Sequence, residues 1–272
     1  MGTVQNDGSS RAPAENAGAD ELISAPQEAA ARTDGTGYKR SAARIGIFFL
    51  VCVAVAATLA PLVFPGGRRE YDAQSLYAAS ADAVFYLRTL DGDGKLKASG
   101  SGFAIDREGL ALTASHVLRG GAAVYAVLPD GEELPVEILD ADDETDVAVL
   151  RLPARETPYP ALRLKAEAPL SGAAVYALGY PLKNVKLIAG GLVSAPEAEI
   201  NGTPRMLLSA NLASGMSGGP VLCADGAVAG ISSATLKTMN GVSASPTTGQ
   251  ILDAVERNAD RKIPETGSGK GG

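Results

Sequence analysis

Histidine is almost missing from this chain: its 272 residues hold one, His116. Any catalytic pair that needs an imidazole must therefore use it. Cysteine is nearly as scarce, with Cys52 in an apolar run and Cys223 in the more polar remainder. The two are not placed to pair, so a framework of disulfides is excluded and the core must supply the stability. The net charge is −7, and no dense basic block stands outside the flanks of the apolar run, which argues against a nucleic-acid partner. No internal repeat is visible.

The first 44 residues have few large apolar side chains, and such a segment cannot offset the entropy of ordering, so it reads as disordered. Residues 45–64 lack charge altogether. As a helix this stretch would be roughly 30 Å long, the thickness of a bilayer's hydrocarbon core, and it is predicted to be one transmembrane helix. The rival readings are a buried core helix and a cleaved signal peptide. The second is opposed by the late start and the length of the run, although Ala56, Ala57 and Ala60 supply small residues near its end. Arg32, Lys39, Arg40 and Arg44 precede the run and only Arg68 and Arg69 follow it closely. That imbalance predicts a cytoplasmic N-terminus and an extracytoplasmic main domain, periplasmic in a bacterium. Residues 65–70 read as a linker and 261–272 as a flexible tail, with the main domain over 71–260.

From Tyr71 onward, short apolar runs alternate with turn dipeptides such as Asp91-Gly92, Asp93-Gly94, Asp130-Gly131 and Asp225-Gly226. Strands are predicted at 83–89, 101–106, 111–113, 123–128, 136–139 and 147–152, then at 173–178, 187–194, 205–209, 220–223 and 228–232. One late helix is predicted from Thr248 to Asn258, with Thr247 and Gln250 spaced as a capping box. The pattern is all-β, a sandwich or barrels, in two halves joined near 155–169.

The sharpest local signal is Gly215-Met216-Ser217-Gly218-Gly219-Pro220. A serine hydroxyl is a weak nucleophile until a base takes its proton, and flanking glycines let the backbone turn tightly. The N–H groups of Gly215 and Ser217 are candidates for an oxyanion hole. Taken alone, the segment also reads as a plain turn before a strand. His116 stands at the end of the apolar run Leu112-Thr113-Ala114, where a helical turn would begin. Asp140, Asp142, Asp143, Glu144 and Asp146 crowd one stretch. Asp146 enters the apolar run Val147-Ala148-Val149-Leu150 and is the predicted orienting acid; the others read as a solvated loop. The chain order His116, Asp146, Ser217 excludes the α/β-hydrolase arrangement, whose histidine follows the serine, and is that of chymotrypsin-type triads. A subtilisin-type order would need an aspartate before His116 on a parallel α/β sheet, which the strand-rich pattern does not suit.

Gly100-Ser101-Gly102-Phe103-Ala104-Ile105-Asp106, the segment around His116, Thr145-Asp146-Val147-Ala148-Val149-Leu150 and the Gly215–Pro220 segment together resemble the HtrA/Deg trypsin-like serine proteases. Leu178-Gly179-Tyr180-Pro181 and Gly191-Leu192-Val193-Ser194 add to the resemblance, which runs from about Ser80 to Asn258. It implies two six-stranded antiparallel β-barrels with the triad in the cleft between them, and hydrolysis of polypeptides through an acyl-enzyme. It further implies no metal or organic cofactor, and a homo-oligomer, trimeric in that family. Too little chain follows for the PDZ domain usual there, so PDZ-directed capture is not carried over. Met216 replaces the aspartate of digestive enzymes and the asparagine common in HtrA-like ones, which predicts an altered or switchable oxyanion loop. By position in the family, Asn211 lies near the base of the S1 pocket. Leu212 and Ile231 would give it apolar walls, and 231–233, with Ser232, would pair with substrate backbone, favouring small or medium apolar P1 residues. The competing expectations are a non-catalytic peptide-binding module and a non-peptide esterase or transferase on the same scaffold.

Overall fold

The computed structural model describes residues 71–235 and 239–258, with Leu50, Ala54 and Val55 upstream. The chain divides into two compact units, Met1–Pro65 and Gly66–Gly272, and the second carries everything that follows. Among the described residues no helix is long and apolar enough to cross a membrane. Apart from Leu50, Ala54 and Val55, the predicted span at 45–64 lies outside the described residues, as do the predicted disordered segment at 1–44, the linker and the tail.

The domain opens with α1 (Ala73–Ser80), whose N-cap Asp72 accepts the Ser75 N–H at 2.7 Å. The strand pattern conceals this helix, because Leu76 is the one large apolar side chain it buries. Next come β1 (Val84–Leu90), β2 (Leu96–Ala104), β3 (Leu110–Thr113), the helical turn α2 (Ser115–Leu118), β4 (Ala123–Val127), β5 (Glu133–Pro135), β6 (Glu137–Asp142) and β7 (Val147–Arg151). These strands form one antiparallel sheet in the order β5-β4-β1-β2-β3-β7-β6. Its two outermost strands, β5 and β6, are consecutive in the chain with Val136 alone between them, so the sheet curls until its edges meet there. The Val136 N–H donates to the Val124 carbonyl at 2.9 Å and fixes that corner.

The second sheet repeats the device. It contains β8 (Ala174–Leu182), β9 (Val185–Ile200), β10 (Thr203–Leu208), β11 (Pro220–Cys223), β12 (Val228–Ile231), β13 (Ala234–Thr235) and β14 (Ser243–Ser245), in the order β12-β11-β8-β9-β10-β14-β13. Its end strands β12 and β13 are separated by Ser232 and Ser233 alone. Each curled sheet thus has seven strands where six were expected. The surplus in each is half of one bent strand: Pro135 has no N–H to continue the ladder at the first bend, and the second bend turns toward the nucleophile loop. The short polar strand β14 left no apolar pattern to read.

Helix α3 (Thr248–Asn258) closes the fold with the capping box its sequence predicts. The Thr247 N–H donates to Gln250 Oε1 at 2.8 Å, and the Gln250 N–H donates to Thr247 Oγ1 at 3.3 Å. Two apolar clusters hold the sheets. The larger includes Phe85, Phe103, Leu112 and Leu150 and reaches across to Leu178, Leu222 and Ile231. The smaller lies within the second sheet and includes Val175, Met206, Leu208, Met216 and Val221. Each fully buried side chain of this size contributes about 1.5–3 kcal/mol.

Candidate active site

Strand β3 is buried along its whole length, and at its end the chain passes through Ala114 into α2, which presents His116. The His116 ring is about one-third exposed, at 36%. Its Nδ1 lies 3.0 Å from Asp146 Oδ1 and 2.9 Å from Oδ2, and its backbone N–H donates to Oδ1 at 3.0 Å. An ionised carboxylate only accepts, so Nδ1 carries the proton, and in the neutral ring Nε2 keeps its lone pair.

Asp146 sits where the predicted acidic loop enters β7, with a backbone φ of 61°, in the left-handed region. For a side chain larger than glycine this costs about 1–2 kcal/mol, so the surroundings must hold it. Burial alone pushes the carboxyl pKa up, but the hydrogen bonds from the His116 ring and Ser233, the nearby imidazole and the His116 N–H outweigh it. The carboxyl is held below the ordinary carboxylate range. The Ser233 hydroxyl donates to Asp146 Oδ2.

The rest of the acidic run is not the freely solvated loop its composition suggests. Asp142 Oδ1 accepts the N–H groups of Glu144 and Thr145 at 2.9 and 3.3 Å. Asp143 accepts the Ser115 hydroxyl at 2.6 Å and pairs with Arg119 at 3.1 Å, and these bonds lower its pKa. Asp140 meets Asn258 at 3.3 Å and Arg257 at 3.7 Å at the end of α3. The Arg205 guanidinium donates to the carbonyls of Glu144 and Thr145.

Ser217 lies in the loop before β11. Its hydroxyl donates to the Ser233 carbonyl at 3.2 Å, and among the described residues no hydrogen bond joins it to His116. The loop is held from the first sheet by Ser101, which is fully buried. The Ser101 N–H donates to the Ser217 carbonyl at 2.7 Å. The Ser101 hydroxyl donates to the Gly215 carbonyl at 2.9 Å and accepts the Tyr180 N–H at 2.8 Å. Gly218 has a φ of 87°, and a Cβ there would stand 2.1 Å from Thr113 Oγ1 and 2.2 Å from the Ser101 carbonyl. Only glycine fits that crossing of the two sheets.

The N–H groups of Met216, Gly218 and Gly219 go to the carbonyls of Ala213, Ser232 and Met216 at 3.1, 2.7 and 3.0 Å. Those of Gly215 and Ser217, the two predicted oxyanion donors, carry no hydrogen bond among the described residues. The Met216 side chain points away from this loop's exposed side: it is 1% exposed and belongs to the smaller apolar cluster.

The predicted substrate-contacting residues separate. Asn211 is exposed, and Leu212 is half-buried against the smaller cluster. Ile231 is fully buried inside the larger cluster, so it is a core residue and not a pocket wall. Nor does 231–233 offer free donors to an added strand. The Ile231 N–H goes to Ser245 Oγ at 2.9 Å, and those of Ser232 and Ser233 go to the carbonyls of Gly219 and Ala244 at 2.8 and 3.3 Å. Ser232 is fully buried as well. Sequence reasoning missed Arg205 and the roles of Ser101 and Ser233, the last expected only as part of a substrate-pairing segment. Of these only Ser101 had a signal, its place between Gly100 and Gly102.

Residues 100–231 match the trypsin-like peptidase domain. The stretch spans His116, Asp146 and Ser217. In sequence the chain is similar to the mitochondrial serine protease HTRA2 of Drosophila willistoni, 31% identical over 216 residues, which is 72% of this chain and 49% of that relative. It is also similar to a probable periplasmic serine endoprotease, DegP-like, of Brucella suis, 35% identical over 149 residues, 53% of this chain and 29% of that relative. The chain thus spans about half the length of the HTRA2 relative, or less than a third of the DegP-like one. In fold it resembles the serine endoprotease from Yersinia pestis, with a TM-score of 0.59 at 22% identity, over 67% of this chain and 64% of that one. The domain is thus similar in sequence to HtrA-like serine proteases over the stretch that holds the three residues, and its fold is that of a trypsin-like serine endoprotease.

Proposed function

We propose that the protein is a serine endopeptidase with Ser217 as nucleophile, His116 as general base and Asp146 as the acid that orients the base. The observation that carries this reading is the two-sided hold of Asp146 on His116, at the side-chain Nδ1 and the backbone N–H, with the acid kept ionised. Ser217 Oγ attacks the scissile carbonyl while His116 Nε2 takes its proton; the N–H groups of Gly215 and Ser217 receive the developing oxyanion. The imidazolium, stabilised by Asp146, then gives that proton to the leaving amine as the C–N bond breaks. A water deprotonated by the same nitrogen cleaves the acyl-enzyme. Before the first step the Ser217 hydroxyl must turn from the Ser233 carbonyl toward the ring.

The substrates are polypeptides, and the role is regulated proteolysis or protein quality control. The domain lies outside the cytoplasm and is tethered by residues 45–64, a placement supported by the charge-free run, its basic N-terminal flank and the similarity to a probable periplasmic relative. Asn211, without charge, favours uncharged P1 residues. Extraction of membranes at alkaline pH tests the tether: a protein released with peripheral proteins sinks it.

The Ser217–Ser233 bond is the one feature that favours a second reading, a peptide-binding module without turnover. A fluorophosphonate probe separates the two. The protease labels, and Ser217→Ala does not. A folded wild type that stays unlabelled across pH and added peptides overturns the catalytic reading.

A further inference from the structure

Arg205 lies on β10, in the second sheet, and reaches the turn that carries Asp146 at the edge of the first. Its Nη1 donates to the Thr145 carbonyl, and its Nη2 donates to the Glu144 carbonyl at 2.7 Å. The Thr145 carbonyl belongs to the peptide group that leads directly into Asp146, the residue in the left-handed conformation with φ 61°. We propose that Arg205 is a positioning residue for catalysis, a latch from the second sheet that fixes this peptide and so the aim of the Asp146 carboxylate at His116. The inference rests on the peptidase reading above.

Two features make the latch specific. A guanidinium presents parallel N–H donors in one rigid plane, which suits two successive carbonyls; an ammonium is a point donor and cannot span both. The other holds on the turn come from its own side. Asp142 Oδ1 gathers the N–H groups of Glu144 and Thr145, and Ser115 and Arg119 take Asp143. These bonds fix N–H groups and a neighbouring side chain, whereas Arg205 fixes the carbonyls of Glu144 and Thr145. The N–H groups held by Asp142 belong to the two preceding peptides, whereas the Thr145 carbonyl shares its rigid plane with the Asp146 N–H, so holding that carbonyl limits rotation of the plane and with it φ of Asp146. Arg205 and Ser233 are thus two holds that the nucleophile's sheet places on the acid, one on its backbone and one on its carboxylate. They set the first sheet, which carries His116 and Asp146, against the sheet that carries Ser217.

The test is a double-mutant cycle on the full chain, with kcat and KM from a peptide substrate corrected for sites titrated by a fluorophosphonate. Arg205→Met is expected to lower kcat about tenfold with KM within about twofold, the scale of a small misplacement of a catalytic group. Added to Asp146→Asn, the same change is expected to cost less than about twofold more, because the residue it positions is already disabled. If Arg205→Met fails to fold, Arg205→Lys is read the same way, with about a threefold loss expected from a cation that cannot fork. A kcat unchanged in the single variant, or a loss that multiplies with that of Asp146→Asn, overturns the latch while leaving the peptidase reading intact. A wild type that neither labels nor turns over overturns the reading beneath it.

Discussion

The hydroxyl of Ser233 donates to Asp146, and the carbonyl of the same residue accepts the hydroxyl of Ser217. One residue at the bend between β12 and β13 therefore touches both ends of the proposed triad. A hydrogen bond to an ionised carboxylate contributes about 1.5–3 kcal/mol.

Ser233→Ala removes that bond and keeps the backbone carbonyl. The Asp146 carboxylate then loses one of the donors that hold its pKa down, so it protonates at a higher pH. The expected outcome is a kcat/KM lower by about tenfold near neutrality. A kcat/KM unchanged from the wild type would remove Ser233 from any role in holding the acid.

Stability carries the same signature. Asp146 has a folded-state pKa below its ordinary 3.8, so its contribution is fully present above about pH 5 and is lost as pH falls through the folded value. Asp146→Asn cannot titrate. Urea midpoints measured from about pH 6 down to about pH 3 should fall more steeply for the wild type than for the variant. Asp142 and Asp225, also depressed, titrate in both proteins and cancel. Parallel curves would mean that the acid gains nothing from its partners in the fold.

What the sequence made legible was local. The capping box of α3, the strands around His116 and Ser217, and the order of the triad residues each sit within a few neighbours that reveal them. Asp146 could be picked from five carboxylates because it alone leads directly into the apolar run Val147-Ala148-Val149-Leu150, and because the resemblance places an acid there. What stayed hidden spans the chain. Arg205 meets Thr145 across a separation of 60 residues, and Ser233 meets Asp146 across 87. No periodicity records such contacts; they arise only when two curled sheets are set against each other. The acidic run misled for the same reason: its partners Ser115, Arg119, Arg205, Arg257 and Asn258 come from α2 with its C-cap, from α3 and from a strand of the other sheet.

Gly218 offers a strict test of the contact between the sheets. An alanine there would need a φ of 87° and would drive its Cβ to 2.1 Å from Thr113 Oγ1 and 2.2 Å from a backbone carbonyl. The hydroxyl could turn aside, but the carbonyl belongs to β2 and cannot. Gly218→Ala is expected to abolish probe labelling and to lower the unfolding midpoint. Retention of wild-type labelling would mean that the nucleophile loop does not pack as described.

Met216 reads in the sequence as a defect of the oxyanion loop, because a polar residue is usual at this position in HtrA-like chains. Its side chain instead fills the smaller core among Val175, Met206, Leu208 and Val221, and its backbone N–H is spent on Ala213. A buried methionine truncated to alanine costs about 2–5 kcal/mol, lost contact and cavity together. Met216→Asn puts an amide into the same apolar surroundings, where an unpaired polar group costs about 1–3 kcal/mol beyond the lost packing. For a domain of this size each kcal/mol lowers Tm by about 2–4 °C. Both variants should therefore melt well below the wild type, with the asparagine variant at least as low as the alanine. Restoring the residue usual in the family would then harm this chain, since the pocket around it is built for methionine. An asparagine variant that melts at the wild-type temperature and labels faster would show the opposite: that residue 216 serves the oxyanion loop and not the core.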